Sequence, residues 1–447
     1  MGTENARHPP RPGYLANASW LMGDHVLRMV LGFAVNIWVV RYLGAEQFGM
    51  LSYALGLLAL VSPFTVLGLD GILVRELARK RADVPGLLGT AFVLKLAGAA
   101  IALLLVLLDA WLLALAGAAA LILVASLSCI FSSLNVVDLY FQSVVASRYV
   151  VLARQAQFWC GMLLRVLLIV LQADLIWFAL MAVVDAMLLA AGLVLAYRLR
   201  GDRHRWRFER AMASDLLRES WPLLGGALAL TAQARIGIIM LGRFSGPEQV
   251  AQFAIALRLV ELFAFIPGAM RSTFAPALTK AKECGEPAFL AYLTDLYRPL
   301  LWGGVAIACV LMPCAPMVVP WLYGANFSEA GLLLAVFAVR IPMLMLRPMR
   351  RLFMINAGLT HYALVSALLV AALSVVLNLW LIPPHQAMGA VIAQLLSALF
   401  ALVVIDLFHA PARLHLRSLF GAVLTPHRLA DSRRLLRPAP RSTLNGR

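Results

Sequence analysis

Twelve apolar runs, each close to twenty residues long, dominate this chain. A run of that length crosses the roughly 30 Å hydrocarbon layer of a bilayer as a single helix. They fall at about 17–40, 47–69, 86–108, 111–134, 149–172, 175–197, 219–241, 249–270, 296–319, 327–346, 360–382 and 386–408. Barrel strands would show dyad alternation in segments of about ten residues, and none is seen. Composition agrees, with 62% hydrophobic and 13% charged residues against the roughly one-quarter charged of a soluble domain.

The runs are arranged twice over. Arg41-Tyr-Leu-Gly-Ala-Glu-Gln-Phe-Gly49 separates the first run from the second, and Arg243-Phe-Ser-Gly-Pro-Glu-Gln-Val-Ala251 separates the seventh from the eighth. Arg41, Gly44, Glu46 and Gln47 fall on Arg243, Gly246, Glu248 and Gln249 at one constant offset. Ala18-Ser-Trp20 and Glu219-Ser-Trp221 echo one another at the start of each half, one residue out of that register. A repeat of this length decides architecture before any single residue does. Six spans per half return the chain to its starting side, so the halves are parallel repeats about an axis along the membrane normal. The expected fold is an all-α polytopic membrane protein, with about twelve transmembrane helices in two six-helix bundles around a central cavity. Its expected parts are residues 1–210 (N-terminal bundle and linker), 211–410 (C-terminal bundle) and 411–447, a basic and weakly ordered cytoplasmic tail.

Orientation follows from charge. Of 38 Lys and Arg residues, 29 fall in the termini and in alternate connections, and only Arg41 and Arg243 in the opposite set. The positive-inside rule puts both termini in the cytoplasm and makes the two Arg-Gly stretches outer hinges, with Gly44 and Gly246 as paired outer pivots. The same rule accounts for the net charge of +16 without a nucleic acid partner. The most basic internal loop, Arg198 to Arg210, joins the halves and suits the anionic headgroup layer. Residues 70–85 read as a short amphipathic helix on that surface. The five cysteines lack metal-ligand spacing and read as small core residues. Residues 1–16 carry no cleavable signal.

Charged groups within the spans are costly, roughly 2.5–3.5 kcal/mol each at mid-membrane, and need a partner or a wet cavity. Asn17, Asp24 and Arg28 share one face of the first span, where Asp24 and Arg28 also stand as an i,i+4 pair. Arg154, Gln157, Gly161, Arg165 and Gln172 form one polar stripe on the fifth span. Arg154 is near enough to the cytoplasmic end to snorkel; Arg165 is deep. Lys95 and Arg340 stand in the third and tenth spans, Gln233 and Arg235 in the seventh, and Arg258 with Glu261 as an i,i+3 pair in the eighth. Asp185 is isolated in the sixth. Seven intramembrane cations face three clear anions, Asp24, Asp185 and Glu261, so a shared cavity is cationic and favours an anionic solute such as phosphate. The acidic residues are candidates for charge partners or for a coupling step. Proline and glycine inside spans permit kinks and close contacts.

Ala18-Ser-Trp20, the Arg41–Gly49 hinge, Arg75-Glu-Leu77, Ser220-Trp-Pro222, Gly246-Pro-Glu248 and Leu322-Tyr-Gly-Ala-Asn326 occur in the order of the polysaccharide-export, O-antigen flippase family. The chain resembles that family, within the multidrug/oligosaccharidyl-lipid/polysaccharide exporter superfamily, from about residue 17 to 408. The resemblance implies a bacterial inner-membrane protein, without cofactor or metal, that flips an undecaprenyl-diphosphate-linked oligosaccharide by alternating access for cell-surface polysaccharide export. Basic cavity residues are implied to attract the diphosphate. By position and helical face the candidates are Arg28, Lys95, Arg154, Gln157, Arg165, Arg235 and Arg258. Membrane lipid and other polysaccharide assembly proteins are candidate partners, and a functional monomer is expected. A cation-coupled multidrug exporter of the same superfamily would want an acidic cavity. A membrane glycan polymerase or ligase would want a sizeable external loop, and here those loops are a few residues long. No GxxxxGK[ST] stretch for ATP hydrolysis is present.

Overall fold

The computed structural model describes residues 12–79, 83–112, 118–201 and 205–425, with side chains from residue 27 onward. Every regular element among the described residues is helical. In chain order they are α1 (Pro12–Val66), α2 (Asp70–Arg79), α3 (Val84–Leu112) and α4 (Ala119–Ser143, a string of short turns). Then come α5 (Ser147–Val170), α6 (Leu175–Leu199), α7 (Arg210–Ser245), α8 (Pro247–Glu283) and α9 (Glu286–Tyr323). The last are α10 (Ala325–Phe337), α11 (Arg340–Asn356), α12 (Thr360–Leu407) and α13 (Arg413–Leu424).

Among the described residues nine helices are long and apolar enough to cross a membrane, and α10 with α11, bent by 54°, makes a tenth. Two of these are double. At 1.5 Å per residue, the 55 residues of α1 would reach about 80 Å, well over twice the hydrocarbon thickness. It is broken at Gly44, where φ is 72° and ψ −179°. Helix α12 is broken at Gln386, with φ 49° and ψ −129°, just after Pro383 and Pro384. Splitting both brings ten passes to twelve, in a multi-pass membrane protein of two six-span lobes. Gly246, with φ 85° and ψ 175°, gives the second half the same backbone as Gly44. Pro247 then starts α8 where no backbone N–H is needed.

The short connections between spans gather at one end of the bundle. Arg41 Nη2 donates to the Trp321 carbonyl (2.5 Å) and the Tyr42 hydroxyl to that of Ala173 (3.0 Å). Arg243 pairs with Asp109, and Gln249 bonds both Glu329 and the Ala387 amide. We call this end the hinge face. Two of its contacts join the lobes reciprocally: Arg41 of the first reaches α9 of the second, and Arg243 of the second reaches α3 of the first. Behind this clasp the lobes pack along α1 and α7. Gly49 lets the chain press on the Pro247 carbonyl, and Gly56 makes room for Ile238.

The opposite end holds the basic connections and is called the basic face. Helix α2 lies there with Ile72, Leu73 and Leu77 buried. Arg75 forms a double hydrogen bond with Glu219 of the other lobe (2.6 and 2.7 Å). The linker between lobes is pinned by Trp206, whose ring lies against Phe92 and Tyr197. The sequence suggests a long basic loop over 271–298, but α8 runs on to Glu283 and α9 begins at Glu286. The turn is confined to Gly285, at φ 112°.

The weakly ordered tail expected from residue 411 is also corrected in part. Residues Arg413–Leu424 form α13, which buries His415, Leu416, Ser418, Leu419 and Ala422; residues 426–447 lie outside the described residues. The helix is held by a polar knot inside the second lobe. Arg350 donates twice to Asp406 (2.7 Å each), and His415 Nε2 (2.9 Å) and Tyr362 (2.9 Å) donate to the same carboxylate. The Tyr297 hydroxyl completes the set on His415 Nδ1 (3.1 Å). Removing one member of a buried ion pair strands the other, at about 3–5 kcal/mol. Asp406→Ala should therefore lower the thermal unfolding midpoint of the detergent-solubilised protein clearly more than Asp215→Ala on an exposed stretch of α7. Equal midpoints would mean the knot contributes nothing to stability.

Candidate functional site

One cavity of about 1060 Å³ lies between the lobes, at the upper end of the usual range for ligand sites. Helix α1 supplies Arg28, Gly32, Phe33, Asn36, Phe48 and Ser52. Helix α5 supplies Arg154, Gln157, Phe158 and Arg165, and α6 supplies Phe178 and Asp185. The second lobe supplies Arg235 from α7 and Arg258 and Glu261 from α8. Spacings of three and four residues bring these side chains to one face of each helix. The aromatic rings give the wall apolar area, and the arginines give it charge.

The charges are paired across helices. Arg165 bonds Asp185 of the neighbouring α6. Gly161, one turn earlier on α5, leaves room for that pair, since a methyl there would collide with Asp185 Oδ1. Arg235 stands 3.5 Å from Glu261. The sequence offers Glu261 a partner in Arg258 on its own helix, but the structure gives it Arg235. Among the described residues no carboxylate is within ion-pair distance of Arg258, which is exposed to the cavity. At the basic end Arg154, still 56% exposed, bonds Asp138 (2.6 Å), which Gln142 also holds (3.0 Å). Five arginines thus line the cavity against two carboxylates.

Lys95 is placed elsewhere. It is buried, and its ammonium bonds Asp70 at the start of α2 (2.6 Å), so it clamps α2 to α3 and does not line the cavity. Arg340 does not snorkel: it is buried with its guanidinium over the Phe337 ring at 5.2 Å. Gln233 takes a hydrogen bond from Arg347 (2.9 Å). The side chain of Asp24 lies outside the described residues. Gly44 and Gly246 lie at the hinge face, and neither lines the cavity. Sequence reasoning missed Asn36 and Ser52; continuing the face of Arg28 past Gly32 along α1 would have reached Asn36.

Residues 14–282 match the sequence profile of a family described as polysaccharide biosynthesis protein. No curated protein matches the chain. Several solved structures share its fold. A multidrug resistance MATE family transporter of the MOP superfamily, inward-facing, is similar at 15% identity and TM-score 0.63, over 91% of this chain and 96% of its own. The lipid II flippase MurJ in an inward closed conformation is similar at 14% and 0.63, over 92% and 98%. The eukaryotic MATE transporter AtDTX14 is similar at 13% and 0.60, over 88% and 95%. At these identities the likeness speaks for the twelve-helix, two-lobe fold.

Proposed function

Because the chain belongs to the polysaccharide biosynthesis protein family, and is a membrane transporter of the MOP superfamily type by fold, we propose that it flips a lipid-linked oligosaccharide. The cargo is an undecaprenyl-diphosphate-linked glycan, taken from the cytoplasmic to the outer leaflet of a bacterial inner membrane. The observation that carries this reading is the arginine excess of the interlobe cavity. A diphosphate is a compact anion that guanidinium groups bind by paired N–H donors. A cationic drug would be repelled by the same wall.

The chemistry is exchange of anions, with no bond made or broken. In the empty cavity Asp185 and Glu261 occupy Arg165 and Arg235. The diphosphate meets Arg258 first, because no ion pair has to be given up there. It then competes with the two carboxylates for their arginines. A carboxylate released from its guanidinium holds a proton more readily, which is where a coupling step would enter. The glycan fills the wet cleft while the lipid tail stays in the bilayer. Outward release requires the hinge-face clasp of Arg41–Trp321 and Arg243–Asp109 to open while the basic face, including Arg75–Glu219, closes.

With both termini in the cytoplasm, as the charge bias requires, the hinge face is the outer one. The test is purified protein in liposomes loaded with a fluorescent undecaprenyl-diphosphate-linked glycan in one leaflet. Reduction of the label from outside reads the transfer. Transfer well above protein-free liposomes is expected, with no stimulation by a cationic dye. Efflux of the dye without glycan transfer would replace this reading with drug export.

A further inference from the structure

A second cavity, of about 390 Å³, opens on the first lobe away from the site just described. It is lined by Val145, Ala146, Arg148, Tyr149 and Arg200. These residues come from the turn between α4 and α5 and from the end of α6, all at the basic face. Behind them Phe141 and Tyr149 stack, with ring centroids 5.4 Å apart and planes 25° from parallel. Each ring carries a guanidinium. Arg148 lies over Tyr149 at 4.8 Å, and its Nη2 also reaches that ring's hydroxyl (3.1 Å); Arg200 lies over Phe141 at 6.0 Å. Two arginines are thus braced on a rigid aromatic pair. Stacking of this kind uses the face of a guanidinium and leaves its N–H edge for an anion.

Two further observations narrow the anion. Val145 is 89% exposed, and Leu199, beside Arg200, is 75% exposed. Large apolar side chains so bare at the ends of spans suit the boundary between acyl chains and headgroups, not bulk water. No side chain caps the start of α5 at Ala146, so its first amide groups add to the positive end of the site. A free inorganic anion would gain nothing from the two apolar flanks. A phosphodiester carrying acyl chains would use both parts.

We propose that Arg148 and Arg200 form a binding site for the phosphate headgroup of an anionic phospholipid, with Val145 and Leu199 against its acyl chains. The site is separate from the cavity between the lobes and does not depend on what that cavity carries. Its ligand belongs to the cytoplasmic leaflet, where anionic headgroups collect basic segments. It would hold α4, α5 and α6 at a fixed depth, and so position Arg154 six residues further along α5.

The test is native mass spectrometry of the full-length protein in detergent, titrated in turn with phosphatidylglycerol, phosphatidylcholine and inorganic phosphate. Phosphatidylglycerol is expected to bind at least tenfold more tightly than phosphatidylcholine. In Arg148→Ala/Arg200→Ala that preference should fall to within twofold, while Arg148→Lys/Arg200→Lys keeps part of it. Arg417→Ala, an exposed arginine on α13, should behave as the unmodified protein. The proposal is overturned if the unmodified protein shows no preference between the two lipids. It is equally overturned if the double alanine variant keeps the preference. Displacement of the lipid by an equal concentration of inorganic phosphate would make this a free-anion site and would also overturn it.

Discussion

Arg258→Glu should lower glycan translocation in the liposome assay by at least tenfold, at unchanged protein yield and thermal midpoint. The argument rests on what the other cavity arginines already do. Arg165 and Arg235 are engaged by Asp185 and Glu261, so replacing either also strands a carboxylate, and any loss of transport would mix binding with folding. Arg258 has no such partner and is exposed to the cavity. Removing it disturbs little except the potential seen by an arriving anion. A charge-assisted hydrogen bond contributes about 1.5–3 kcal/mol, or roughly 10- to 150-fold in affinity, and reversal adds repulsion. Arg258→Lys keeps the charge but loses the planar fork, so an intermediate rate is expected. Glu286→Gln, on the exposed start of α9, changes a charge outside the cavity and should leave transport unaltered. Translocation by Arg258→Glu within twofold of the unmodified protein would remove the cavity from the proposed path.

How far the sequence reaches depends on whether an interaction lies along one helix or between two. Within a helix, the 3.6-residue period placed Arg154, Gln157 and Arg165 on one face, and the structure sets all three on one cavity wall. The duplicated hinge announced two lobes, and the model has two. Between helices the sequence has no ruler. Asp185 reads as isolated because its partner Arg165 is twenty residues away, across a turn. Glu261 reads as the partner of Arg258 at i,i+3, whereas packing of α8 against α7 hands it to Arg235. Lys95 reads as a cavity cation, yet α2 folds back and covers it with Asp70. Helix α13 was obscured for another reason. Its basic surface resembles a disordered tail, and the apolar face that holds it in place needs the pocket of α9 and α11 to be recognised. Each of these misses concerns which helix neighbours which, a property fixed by the packed bundle.

Gly44→Ala and Gly246→Ala should each destabilise the protein, and the double variant should lose about the sum. A methyl at either position meets no other atom, so crowding is not the cause. Both residues combine φ of 72° or 85° with ψ close to 180°, a region essentially reserved for glycine that costs other residues on the order of 1–3 kcal/mol. Gly225→Ala and Gly268→Ala supply the contrast. They too have open space and lie inside helices without positive φ, where alanine is the better helix former by about 1 kcal/mol, so neutral or raised midpoints are expected. Transport should suffer beyond stability at the hinges. Gly44 is three residues from Arg41 and Gly246 three from Arg243, so a backbone forced out of this conformation re-aims the arginines that clasp the lobes at the hinge face. The two halves use one conformation, so the two single variants should lose similar amounts of both stability and translocation rate. If alanine is tolerated at one hinge and not at the other, the glycines are not equivalent pivots, and opening at the hinge face would have to be carried by one lobe alone.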